Sequence, residues 1–169
     1  MKKLLALAVV ILGFTAVSFG QAKSATASAS ATIVSAMNIT NAGNLNFGNI
    51  QTTGAGKVLV ATDGTPTYPN APAVSGYAIA GTITAAKFDV TGSPDATYSI
   101  SAIAPIKVNS AASDMDVDNF VTSPSLIAGK LDASGKQTIL VGATLNVKAA
   151  QAPGFYTNTT GFTVTVNYN

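Results

Sequence analysis

The sequence predicts an all-β protein, an antiparallel β-sandwich, and three observations point there. Beyond residue 22 no amphipathic helix of useful length can be traced. Short runs instead alternate apolar with polar side chains, the period-two signature of strands with one buried and one wet face. Gly, Pro and an Asp-Gly pair punctuate the connections between those runs. Strands that are apolar on one face must be covered, and two such sheets stacked face to face satisfy each other. A membrane barrel is the structural rival. It needs lipid-facing strands of about ten residues with aromatic girdles, whereas aromatics are 7% of this chain and sparse at strand ends.

Residues 1–22 read as a signal peptide. Lys2-Lys3 precede an apolar run from Leu4 to Phe14, and small residues follow at Ser18, Gly20 and Ala22. Gly20-Gln21-Ala22 fits a small-x-small cleavage site, with cutting after Gly20 as the competing choice. The whole apolar stretch, Leu4 to Phe19, is a little short of the roughly 20 residues of a spanning helix, and its flank is Ser/Ala-rich. Cleavage is therefore expected rather than a retained anchor, with no transmembrane anchor afterwards. No Cys follows to carry a lipid. Residues 23–169 are expected to form one exported domain.

Behind the leader, Ser24-Ala25-Thr26-Ala27-Ser28-Ala29-Ser30-Ala31-Thr32-Ile33 alternates small residues with hydroxyls. Period two predicts an extended strand over residues 23–35 with Ala25, Ala27, Ala29, Ala31 and Ile33 on one face. A low-complexity linker is the alternative. Further on, Lys57-Val58-Leu59-Val60-Ala61 leads into Asp63-Gly64, a tight-turn pair. Residues 65–75, with Pro66, Pro69 and Pro72, read as a loop. A strand over 86–91 is expected to meet a second over 96–101 through Gly92-Ser93-Pro94-Asp95. Residues 139–149 hold a long strand with Gly142 as a bulge or kink. The chain closes on a strand with Phe162, Val164, Val166 and Tyr168 on its apolar face.

Composition narrows function. Only 9% of residues are charged, as nine Lys and seven Asp, and Arg, Glu, His, Cys and Trp are absent. Loss of Lys2 and Lys3 leaves seven of each charge. The missing types exclude His-based acid–base chemistry, thiolate nucleophiles, disulfides and His/Cys metal sites. Charge balance argues against a nucleic-acid partner, which needs a surplus of cations. No cofactor is predicted, and the protein is expected not to be an enzyme. Ordinary packing must hold an exported fold that has no Cys.

Asp114, Asp116 and Asp118 have the one-three-five spacing that a Ca²⁺ loop uses. Asn119 and Ser125 stand where such a loop needs Gly and Glu, so a solvated loop before Phe120-Val121 is the preferred reading. Tyr68, Tyr77, Phe155 and Tyr156 are candidates for stacking on sugars or for plugging the sandwich. Ser and Lys are scattered, without a G-x-S-x-G turn for a Ser–Lys hydrolase. The sequons at Asn38 and Asn158 are assigned no role.

Several segments carry a resemblance. They are the small-residue tract, Leu45-Asn46-Phe47-Gly48, residues 86–92, residues 96–100, Val141-Gly142-Ala143-Thr144-Leu145-Asn146-Val147 and residues 161–168. Together they resemble exported bacterial domains of unknown function that are compared with fimbrial major subunits. The resemblance implies an immunoglobulin-like or pilin-like sandwich in a Gram-negative periplasmic or surface setting. The tail also resembles the C-terminal strand of chaperone–usher pilins, with Tyr168 as its penultimate aromatic. That likeness implies self-association and a periplasmic chaperone. Residues 25–33 would be a donor strand, and an edge groove beside Phe162, Val164, Val166 and Tyr168 the acceptor. The donor strands of those pilins usually carry bulky alternating residues, and here the tract is small. A monomeric secreted binding module, with glycans as the candidate ligand, is the alternative function.

Overall fold

The computed structural model describes residues 22–71, 73–76, 81–111 and 113–169. The predicted signal peptide, but for its last residue, and Tyr77 lie outside the described residues. One compact unit spans Ile33–Asn169. Residues 22–32 belong to a separate unit, carry no helix or strand, and are exposed throughout. The strand expected over Ala25, Ala27, Ala29, Ala31 and Ile33 is thus not formed. Ala and Ser side chains offer too little apolar area to offset the entropy of ordering the backbone.

The described residues contain strands and no helix. In chain order the strands are β1 (Asn38–Gly43), β2 (Ile50–Thr52), β3 (Gly56–Val60), β4 (Pro66–Thr67), β5 (Val74–Gly76) and β6 (Ala86–Thr91). Then come β7 (Thr97–Ile100), β8 (Ile106–Asn109), β9 (Asp114–Ser123), β10 (Gly129–Lys130), β11 (Lys136–Val147) and β12 (Val166–Tyr168). Every pairing is antiparallel.

Strand β11 is the spine of a seven-stranded sheet. One of its edges pairs first with β6, from Lys136↔Thr91 to Val141↔Ala86, and then with β3, from Ala143↔Val60 to Val147↔Gly56. Gly142 sits where one neighbour hands over to the next. A methyl group there would run into the Val60 carbonyl, so the close approach requires glycine. The other edge of β11 pairs with β9, and the register shifts between Gly142 and Thr144. The irregularity expected at Gly142 is therefore present, but the extra residue lies on β9, where Asn119 takes a φ of 47°. A bulge re-aims the side chains after it. Met115 and Val117 point inward before it, Phe120 turns inward after it, and Val121 is left half exposed on the outer face.

A three-stranded sheet, β10-β7-β12, and a two-stranded one, β2-β5, form the facing layer. The architecture is an antiparallel, sandwich-like all-β fold, with no closed barrel among the described residues. β6 and β7 are not hairpin partners, contrary to the sequence expectation. Phe88 and Val90 of β6 lie in the same core cluster as Tyr98 and Ile100 of β7, so residues 92–95 carry the chain over the edge from one layer to the other. The Asp63-Gly64 turn does close a hairpin between β3 and β4, with Gly64 at φ 84°. Two short strands, β4 and β5, stand where a loop was expected. Pro66 is tolerated because β4 is an edge strand and needs no donor on its open side.

The core has two clusters. The first joins β6, the first half of β11, β7, Leu131 and Val164, and Tyr98 at its centre is fully buried. The Tyr98 hydroxyl donates to Gln137 Oε1 at 2.7 Å, and burial pushes its pKa up to about 12. The second cluster joins Val58, Val74, Met115, Val117, Ala143, Leu145 and Val147. Leu45 and Phe120 pack against both.

Candidate functional site

Among the described residues, a groove runs beside the second cluster. The inward side chains of three neighbouring strands, Ile106 and Val108 of β8, Met115 and Val117 of β9, and Leu145 and Val147 of β11, form a floor. Above it runs a groove of about 960 Å³, at the upper end of the range for ligand sites. One wall is the chain from Asn44 into β2, the other the chain from Gln151 to Phe162. β2 pairs only with β5 among the described residues, so its other edge carries no ladder. The lining holds no Lys or Asp at all. Its rim is amide and hydroxyl, from Asn41, Asn44, Asn46, Asn49, Asn158 and Thr160 among others.

The second wall is fastened at several points. Asn109 and Thr157 exchange backbone hydrogen bonds of 2.8 and 3.0 Å, and Asn158 Nδ2 donates to the Lys107 carbonyl at 2.6 Å. The Tyr156 hydroxyl donates to the Ala152 carbonyl at 2.6 Å and accepts from Gln151 Nε2 at 2.8 Å. The second bond favours the phenolate and draws the Tyr156 pKa below its usual value. Tyr156 is thus a structural plug on the second cluster, while Phe155 beside it is 84% exposed at the groove. Tyr68 also packs on the second cluster but does not line the groove. Among the described residues, Tyr68 is therefore not brought onto one platform with Phe155 and Tyr156.

Of the four tail residues expected as the acceptor, only Phe162 lines the groove. It packs edge-on against Phe88, with centroids 5.9 Å apart, and against Phe120 at 4.9 Å. Val164 is buried in the first cluster, and Val166 and Tyr168 pack against it. Alternation of the tail is as expected, but only Val166–Tyr168 is strand. The Tyr168 hydroxyl is engaged within the fold. It donates to the Ser35 carbonyl at 2.8 Å and accepts from the Ser93 backbone N–H at 2.8 Å. Ser35 N–H in turn donates to Ser93 Oγ at 2.8 Å. Both ends of the compact unit are clasped to the β6–β7 connection.

Asp114, Asp116 and Asp118 lie within β9 rather than in a solvated loop. Alternate residues of a strand stand about 6.6 Å apart on one face, so they do not wrap around a point as a Ca²⁺ loop does. Asp114 is bridged by Lys107 and by Lys148, at 2.6 Å for the latter, and Lys107 also reaches Asp116 at 2.8 Å. The two ammonium groups hold the Asp114 carboxyl down at about 2, and the pair of carboxylates raises Lys107. No acidic cluster suited to a metal occurs among the described residues.

Sequence reasoning missed most of the floor. Ile106-Lys107-Val108-Asn109 alternates cleanly, and that signal would have found β8. Nothing in the pattern of β1 announces it, because of its six residues only Ile39 packs as a large apolar side chain.

The family model for a domain of unknown function, DUF4402, matches residues 37–168. No curated protein and no solved structure matches the chain. The chain belongs to the DUF4402 family.

Proposed function

We propose that this DUF4402 domain is a non-catalytic, exported structural or adhesive subunit of a Gram-negative cell surface, of fimbrial type, which associates by β-strand addition. The observation that carries the reading is the uncharged groove over the second core cluster. It is lined by alternating apolar side chains and flanked by an edge of β2 that has no ladder partner among the described residues. An extended segment laid there would gain main-chain hydrogen bonds along that edge and cover the partly exposed Ile106 and Val108. The chain carries an uncharged, exposed segment of that kind in residues 24–35. An open apolar edge invites aggregation, which is why a periplasmic chaperone is part of the proposal. The signal peptide read from residues 1–22 supports export, and the absence of His, Cys, Arg and Glu from the sequence supports a role in association rather than reaction.

Deleting residues 23–32 tests this. It leaves Ser35 in its clasp and should abolish multimers that survive detergent without heating. A deleted protein that still forms them, or a full-length one that stays monomeric at high concentration and is never found in surface filaments, would overturn the reading. A second reading, a monomeric glycan-binding module, is favoured by exposed Phe155 beside an amide-rich rim. It predicts that Phe155→Ala abolishes glycan binding by a protein that is monomeric throughout.

A further inference from the structure

Strand β8 lies at an edge of the large sheet, and among the described residues β9 is its ladder partner. Its other edge is a hazard. Ile106 and Val108 are only half buried, and unpaired backbone groups beside apolar side chains template pairing with another chain. Successive residues of a strand turn their backbone groups to opposite edges. Asn109 turns its groups away from β9, since both bond Thr157, and Lys107, two residues earlier, faces the same way. Three of these four groups are taken. The Asn109 N–H and carbonyl bond Thr157 at 2.8 and 3.0 Å, and the Lys107 carbonyl accepts from Asn158 Nδ2 at 2.6 Å. The Lys107 N–H has no partner among the described residues.

The same asparagine ends the pairing that Thr157 begins. Asn158 Oδ1 accepts from the Thr160 N–H at 2.9 Å, the Thr160 hydroxyl at 2.7 Å and the Gly161 N–H at 2.8 Å. Gly161 then takes a φ of 68°. This Asx turn carries the chain away from β8 after one bridge. A longer pairing would replace one open edge with another, whereas a side-chain donor covers the Lys107 carbonyl without adding a strand.

We infer that residues 157–161 are an edge guard, and that the Asn158 amide, to which the sequence assigned no role, closes β8 to ladder pairing with a second copy of this chain. A second copy is the partner excluded, because an isologous contact needs only one patch, the same on both molecules. The inference goes beyond the strand-addition reading and does not depend on it. It names an edge from which association is barred rather than a surface that invites it.

The test compares the mature chain with Asn158→Asp and Thr160→Ala, each with and without residues 23–32, so that multimers formed through the arm are separated from those formed along β8. Asn158→Asp keeps an acceptor for the turn and sets a carboxylate oxygen, in place of a donor, against the Lys107 carbonyl. Thr160→Ala removes one bond of the turn and leaves the amide in place. Sedimentation over a concentration series reads self-association, and amide exchange is followed residue by residue. In the chain lacking residues 23–32, Asn158→Asp should raise association by roughly threefold to tenfold, as one freed edge hydrogen bond implies. The Lys107 N–H should then become protected as concentration rises. Thr160→Ala should stay within about twofold of the parent. Unchanged association in Asn158→Asp, an equal rise in Thr160→Ala, or a rise without protection at Lys107 overturns the inference. The chain with an intact guard tests it as well. Without residues 23–32 its Lys107 N–H should exchange at one rate at every concentration, and protection that grows with concentration there also overturns the guard.

Discussion

Removing one oxygen from the penultimate residue should loosen both ends of the domain. In Tyr168→Phe the ring stays in place against the first core cluster, so packing is conserved and only hydrogen bonds are lost. Two disappear: the one donated to the Ser35 carbonyl and the one accepted from the Ser93 N–H, both 2.8 Å. Ser35 is exposed and its carbonyl turns to water at small cost. Ser93 is only half exposed, so its N–H is poorly resupplied. A net hydrogen bond is worth roughly 0.5–1.5 kcal/mol, with the higher end for a donor left unpaired. The pair together should cost about 1–2 kcal/mol. For a domain of this size, that is a fall in melting temperature of roughly 3–8 °C. Calorimetry or circular dichroism measures it, and amide exchange at Met37 and Ile39 should rise in parallel. Ser93→Ala removes the acceptor for the Ser35 N–H and keeps the tyrosine bonds, so a double-mutant cycle isolates the clasp. A Tyr168→Phe protein melting within about 1 °C of the parent, with unchanged exchange, would refute the reasoning.

Other outcomes follow from the same geometry. Asp114 has its pKa lowered from 3.8 to about 2 by Lys107 and Lys148. A carboxylate depressed in the fold contributes stability that is present above pH 3.8 and is lost as pH falls through about 2. Asp114→Asn should flatten the acid limb of the stability profile in that window, and a limb as steep as the parent's would contradict this. Phe155→Ser touches an exposed ring and should change unfolding free energy by less than about 0.5 kcal/mol, while multimer formation, read on unheated gels, should fall. Leu131→Ala empties a fully buried site in the first cluster and should cost about 2–5 kcal/mol by denaturant titration. Gly142→Ala should cost about 1–3 kcal/mol or more, because the new methyl meets the Val60 carbonyl rather than a side chain able to move.

The acidic run shows why single segments mislead. Read alone, Asp-Met-Asp-Val-Asp has the oxygen spacing of a Ca²⁺ loop or of a solvated turn. In the fold the same alternation makes a strand, because Met115 and Val117 find a core and the carboxylates find lysines on a neighbouring strand and beyond β11. The tail shows the converse. Its alternation was read correctly, but alternation does not reveal the partner. Tyr168 spends its hydroxyl on Ser35 and Ser93, residues separated from it by 133 and 75 positions, and leaves Phe162 alone at the groove.

What the sequence determined by itself is the class of structure and the limits of its chemistry. Period two without helical periodicity makes strands, turn residues delimit them, and a chain lacking His, Cys, Arg and Glu has few side chains to catalyse with. Tertiary structure decided which strand lies beside which, that β6 and β7 face each other across the core rather than pairing, and that a groove runs beside the second cluster. Those are sums over contacts distant along the chain. Local pattern sets which face of a strand is apolar, whereas only the packed whole sets what covers that face.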